Sequence, residues 1–127
     1  MGSQIFEGVC AQHLARFAPA YSLPLIMEMG RWWSRGGDVE LDLVARLSDG
    51  SYLFGECKWA TSPTDADELG RLKQKAQQVP HGRWKAKPRY VLFSAGGFTQ
   101  RLVDLAQEQG AILVAPDELF RGLSVPP

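Results

Sequence analysis

The chain has 127 residues, 45% hydrophobic and 22% charged. That is the size and make-up of one globular domain with a single modest core, and it excludes disorder. Fourteen basic and fourteen acidic side chains cancel, so no global charge calls for a polyanion or a membrane surface.

In chain order, residues 3–18 fit an amphipathic helix. Ile5, Phe6, Val9, Cys10, Leu14 and Phe17 recur at helical spacing, and Pro19 ends it. Glu7 falls on the edge of that apolar arc, not opposite it. Residues 25–35 and 38–48 read as strands. Asp49-Gly50 is a hairpin turn signal, and residues 51–59 form the returning strand. Residues 64–79 are a helix with Thr64 or Asp65 as cap and Leu69, Leu72, Ala76 and Val79 as its buried stripe; Pro80-His81-Gly82 closes it. The apolar run 89–94 suits a central or parallel strand. Thr99 caps a helix over 100–109 that Gly110 ends. A last strand spans 111–115, and a helical turn is expected at 117–120. The order αβββαβαβ predicts an α/β fold: a mixed central sheet flanked by helices, antiparallel at one side and parallel where helices cross over. Residues 1–127 read as one domain, with no repeat, linker or Walker-type phosphate loop.

The two cysteines, Cys10 and Cys57, have no metal-ligand spacing and are too few for a disulfide framework. They read as reduced, buried small hydrophobes of a cytoplasmic protein. No signal peptide is visible and no apolar run is long enough to span a bilayer. The opening Met1-Gly2-Ser3 reads as a vector remnant, so the natural chain is expected to start earlier.

The hairpin concentrates charge inside its strands. Alternation places Val39, Leu41, Leu43 and Ala45 on one face of the second strand and Glu40, Asp42 and Val44 on the other. In the third strand Phe54, Glu56 and Lys58 share a face, while Leu53, Gly55, Cys57 and Trp59 share the opposite one. Asp42 and Glu56 meet if the hairpin register brings them together. Two crowded carboxylates repel, and Mg2+ or Mn2+, hard ions that favour oxygen donors, relieve that repulsion. A lysine beside them can orient a water or stabilise charge on a phosphate. Glu7 could add another oxygen. Spacing by itself leaves two readings open: a site for phosphodiester hydrolysis, or an exposed hairpin face with ordinary salt bridges.

These residues resemble the PD-(D/E)XK, or restriction-endonuclease-like, nuclease superfamily. Asp42 stands at the motif's Asp, Glu56-Cys57-Lys58 at its E-x-K, and Glu7 resembles a helix-borne Glu near the metal. Glu40-Leu41-Asp42 is similar to the E-x-D form of archaeal Holliday-junction resolvases and Mrr-like restriction enzymes. Closer still is the C-terminal nuclease-like domain found on archaeal-type ATPases. The resemblance runs through Phe6-Glu7, Gly30-Arg31-Trp32-Trp33, residues 40–44 and 55–59, Leu69 to Ala76, Phe93-Ser94 and Gly97-Phe98-Thr99. It implies an αβββαβ core and divalent-metal-dependent cleavage of DNA, branched or damaged DNA included. Asp42 and Glu56, with Glu7, would be metal ligands, and Lys58 the water-positioning or charge-stabilising group. A homodimer and an ATPase module, upstream or separate, are the implied protein partners. The alternative is a nuclease-fold module that binds DNA or a partner ATPase without cutting; nothing in the sequence reads a 2′-hydroxyl to favour RNA.

Further residues offer nucleic-acid contacts. Trp32 and Trp33 adjoin Arg31 and Arg35, and a flanked aromatic can stack on a base; strand alternation leaves one tryptophan in the core and exposes the other. Core packing or a dimer contact is the competing role. No acid separates Arg71, Lys73, Lys75, Arg83, Lys85, Lys87 and Arg89, a run that reads either as a local basic surface or as a solvated face and loop. Superfamily members often aim a Lys or Gln from this helix at the site, and Lys73 and Gln77 are the better-placed candidates beside Lys75. His13 and His81 show no ligand spacing. Ser94 and Thr99 flank a strand-to-helix turn that could hold a phosphate, against ordinary capping.

Overall fold

A computed structural model describes residues 2–80 and 87–115. The turn expected at 117–120, together with His81, Arg83 and Lys85, falls outside them.

The elements are α1 (Gly2–Phe17), a 3₁₀ turn (Ala18–Tyr21), β1 (Ile26–Trp33), β2 (Glu40–Leu47), β3 (Tyr52–Lys58), α2 (Asp67–Ala76), β4 (Arg89–Ser94), α3 (Gln100–Gln109) and β5 (Ile112–Val114). The strands lie in one sheet in chain order. β1, β2 and β3 pair antiparallel, and β3, β4 and β5 pair parallel. This is the mixed α/β sheet expected from the element order. Gly50 has φ +86, the left-handed conformation that a tight hairpin turn requires. Thr99 accepts the Leu102 N–H at 3.2 Å, and Gly110 closes α3 with φ +76, as the capping signals dictate.

The two parallel crossovers advance in the same direction across the sheet. A constant crossover hand then puts both helices on one face. Indeed α2 and α3 pack there: Leu69, Leu72, Ala76 and Leu102 meet Leu41, Phe54 and Leu92. The opposite face belongs to α1, where Phe6, Cys10 and Leu14 pack on Leu43, Ala45, Leu47, Leu53, Val91 and Phe93.

Three sequence expectations change. Ile5, assigned to the stripe of α1, is 73% exposed; Phe6, Cys10 and Leu14 recur at four-residue steps and Ile5 lies beside their line. The second helix starts at Asp67, and Ala66 at its N-cap contributes no side-chain bond. Its expected caps are used elsewhere: the Thr64 hydroxyl donates to Ser94 at 2.8 Å, while Asp65 accepts from Ala66 N–H and the Thr99 hydroxyl. Those bonds also make the Ser94–Thr99 turn an internal latch. Its Gly96 leaves no room for a Cβ, which would lie 2.2 Å from the Ser62 carbonyl. Finally, Leu41 packs with Phe54 under α2 and not with Leu43 and Ala45. Between Gly30↔Val44 and Trp32↔Leu41 the register shifts, so Asp42 and Leu43 together oppose Arg31. This β-bulge resets the alternation of β2.

Candidate active site

The β2–β3 ladder ends at Leu43↔Gly55. Asp42 and Glu56 are the next residues outward, and there the main-chain pattern gives way to side chains. The Cys57 N–H donates to the Asp42 carboxylate at 2.9 Å, and the Asp42 N–H donates to Glu56 Oε2 at 3.3 Å. Each acid thus satisfies a backbone donor of the other's strand end, which fixes both carboxylates. The bulge makes this possible. It turns Asp42 toward α1, where it lines a cleft of about 360 Å³ with Glu7, Gly8, Met29 and Arg31. Asp42 therefore stands between Glu56 on the α2 side and Glu7 on the α1 side.

Alternation in β3 holds as expected: Phe54 is buried under α2, and Glu56 and Lys58 both find partners on that helix. Lys58 Nζ pairs with Glu68 at 2.9 Å, and Glu68 also holds Arg71 at 2.5 Å. Lys75 pairs with Glu56 Oε1. The sequence favours Lys73 and Gln77 as donors toward the site. Lys73 instead bonds Gln109 and lies over the Tyr90 ring, and Lys75 holds the position beside Glu56. The apolar stripe of α2 has two flanks; Glu68 and Lys75 lie on the one facing β3, and Lys73 on the one facing α3. The seven-residue spacing of Glu68 and Lys75 signals a shared flank, but not which element it faces.

Burial dominates the electrostatics. Glu56 is 5% exposed. Desolvation, then its contact with the Asp42 carboxyl, pushes its pKa up to about 7, against the opposing pull of Lys75. Glu7 is raised too, by burial and then by Asp42, although Arg31 lies 3.4 Å away. A carboxyl with a raised folded pKa binds more protons folded than unfolded. Its stabilising contribution is complete below the ordinary glutamate value and is lost as pH rises to about 7. Relative to Glu56→Gln, wild-type protein is therefore expected to lose stability between about pH 4.5 and pH 7 and to run parallel above. Urea unfolding of both proteins across that range checks it, and a constant difference would contradict it.

The nucleic-acid candidates are dispersed. Trp32 packs on the α2-face core, while Trp33 is 61% exposed. Arg31 bridges toward Glu7 and Glu40; Arg35 is exposed. Among the described residues of the basic run, Arg71 is matched by Glu68, Lys75 by Glu56, Arg89 by Asp49 and Lys73 by Gln109. His13 is buried, with Nε2 2.6 Å from the Tyr21 hydroxyl, a structural role. No helix among the described residues is long and apolar enough to cross a membrane.

A family model described as archaea bacterial proteins of unknown function, DUF234, matches residues 1–79. Several solved structures share the fold. A protein of unknown function, AF1548, is 21% identical with a TM-score of 0.58, over 91% of this chain and 66% of that one. A repair endonuclease from Pyrococcus abyssi is 14% identical with a TM-score of 0.55, over 86% and 46%. EndoMS, in an EndoMS–dsDNA complex, is 17% identical with a TM-score of 0.51, over 86% and 43%. The chain thus spans less than half the length of the last two. No curated protein sequence matches it. At these identities the likeness concerns the fold, which is restriction-endonuclease-like.

Proposed function

Because the chain belongs to the DUF234 family of archaeal and bacterial proteins, and its fold is restriction-endonuclease-like, we propose that it is a divalent-metal-dependent endonuclease of the PD-(D/E)XK type that hydrolyses DNA phosphodiester bonds. Branched or damaged DNA is the candidate substrate. One observation carries the reading: Asp42 and Glu56 converge at paired strand ends, each held by the other strand's backbone, with Lys58 two residues beyond Glu56. The convergence lies at the carboxyl end of parallel strand β3, where α/β sheets tend to place their sites. The described fold neighbours include a repair endonuclease and a protein bound to double-stranded DNA, which supports DNA as partner.

The donor set suits Mg2+ or Mn2+. Two crowded carboxylates present hard oxygens, and burial first, then the neighbouring Asp42 carboxyl, raise the pKa of Glu56. Among the described residues no group of three or more His, Cys, Asp or Glu side chains is arranged to hold a metal. Asp42 and Glu56 would hold the ion, which suits Mg2+, an ion that keeps several waters when bound by one or two carboxylates. Glu7 stands beyond Asp42 as the outer acid. When bound, the ion supplies Lewis-acid relief of phosphate charge and a more acidic water. The chain's own groups do the rest. The backbone N–H bonds hold both carboxylates still, and α2 closes water away from Glu56. Lys58, steadied by Glu68, offers its ammonium to charge growing on the phosphate. Association with a second copy or an ATPase module belongs to the same proposal.

The test incubates the protein with supercoiled, linear and branched DNA, with Mn2+ or with chelator. Cleavage only with Mn2+ is expected, falling about 100-fold or more in Lys58→Ala. Cutting that survives Lys58→Ala removes Lys58 from the mechanism. Salt-sensitive binding without cutting favours the non-cleaving module.

A further inference from the structure

The acids at the strand ends already have a cation. Glu56 is buried, with one oxygen on the Asp42 N–H and the other on the Lys75 ammonium. A buried carboxylate beside a second carboxylate is costly unless a positive charge answers it, and Lys75 is the group that answers Glu56. Lys58 is placed otherwise: its ammonium is bonded to Glu68, which also holds Arg71. The two lysines near the motif are therefore divided between two acids.

We propose that Lys75 is a built-in counter-ion of the metal-free protein, and that a divalent ion occupies the Asp42–Glu56 pair only by displacing the Lys75 ammonium from Glu56. The inference rests on the metal site proposed above. Its physical basis is competition. An ammonium and a divalent ion at one buried carboxylate repel each other strongly in a poorly screened site. Glu56, on a central strand and pinned by the Asp42 N–H, has little freedom to move. Lys75 sits on a helix with its side chain 36% exposed, so its ammonium can swing into water while its stem stays on the helix surface. The exchange swaps one ammonium for one divalent ion. Lys75 would thus set the ion concentration at which the site loads, without itself serving as a ligand.

The experiment is a Mn2+ titration at pH 8, with free Mn2+ read by electron paramagnetic resonance and no DNA present. Wild-type, Lys75→Met and Lys75→Arg are compared, with Asp42→Asn/Glu56→Gln as the variant lacking the site. Lys75→Met is expected to bind Mn2+ about tenfold more tightly than wild-type, an ordinary size for coupling between competing ligands. Lys75→Arg keeps the charge and is expected to stay near wild-type. Thermal melting adds a second reading: Mn2+ should raise the melting temperature of Lys75→Met more than that of wild-type. If Lys75→Met does not fold, Lys75→Gln replaces it. Equal or weaker binding by the neutral variant, with binding still lost in Asp42→Asn/Glu56→Gln, overturns the displacement while sparing the metal site. Absence of site-dependent Mn2+ binding in every protein overturns both.

Discussion

Asp42→Asn and Glu56→Gln are each expected to reduce metal-dependent DNA cleavage by about 1,000-fold or more, as loss of an essential member of a cooperating catalytic set does. Both substitutions keep the shape of the side chain. After Asp42→Asn the amide oxygen can still accept the Cys57 N–H, and after Glu56→Gln it can still accept the N–H of Asp42, the two bonds that close the strand ends. What each substitution removes is the negative charge needed to hold a divalent ion. Unfolding is not a competing explanation for Glu56→Gln. Glu56 carries a desolvation penalty that an amide does not, so Glu56→Gln is expected to be at least as stable as wild-type at pH 8. Circular dichroism and melting curves beside the cleavage assay separate the effects. Cleavage within a few-fold of wild-type in either variant would remove that carboxylate from the site.

Phe93→Ala is expected to destabilise the domain by about 3–5 kcal/mol, the usual cost of truncating a buried aromatic. Phe93 is fully buried on β4, paired with Cys57 on one side and Val114 on the other, facing α1. The sheet backbone around it is held by ladders on both sides, so the vacated space cannot collapse. Urea denaturation measures the loss. Trp33→Ala, on an exposed edge-strand side chain, serves as comparison and is expected within about 0.5 kcal/mol of wild-type. A Phe93→Ala loss below about 1 kcal/mol would mean that the packing around this residue is looser than its burial implies. Because α1 carries Glu7 and Phe93 lies in the cluster beneath that helix, the same variant should weaken the hold on the outer acid.

Features that rest on local periodicity are legible in the residue order. The strand and helix order, the Asp49-Gly50 turn, the Thr99 cap and the Gly110 stop depend on neighbours a few residues away, and the structure keeps each of them. Alternation in β3 likewise put Glu56 and Lys58 on one face, because the pairing of that strand with β4 runs in unbroken register from Leu53 to Lys58. Features that depend on register follow only from how the strands and helices pack. Regular alternation sends Asp42 to the Val44 side, but the bulge opposite Arg31 turns it toward α1 and sets it between Glu56 and Glu7. A bulge arises from how β1 and β2 fit together across the sheet, and no residue of β2 announces it. The partners of the lysines were hidden for the same reason. Periodicity gives α2 an apolar stripe with two polar flanks, but only the packing of the helix against β3 and α3 decides that one flank brings Glu68 to Lys58 and Lys75 to Glu56, while the other sends Lys73 to Gln109.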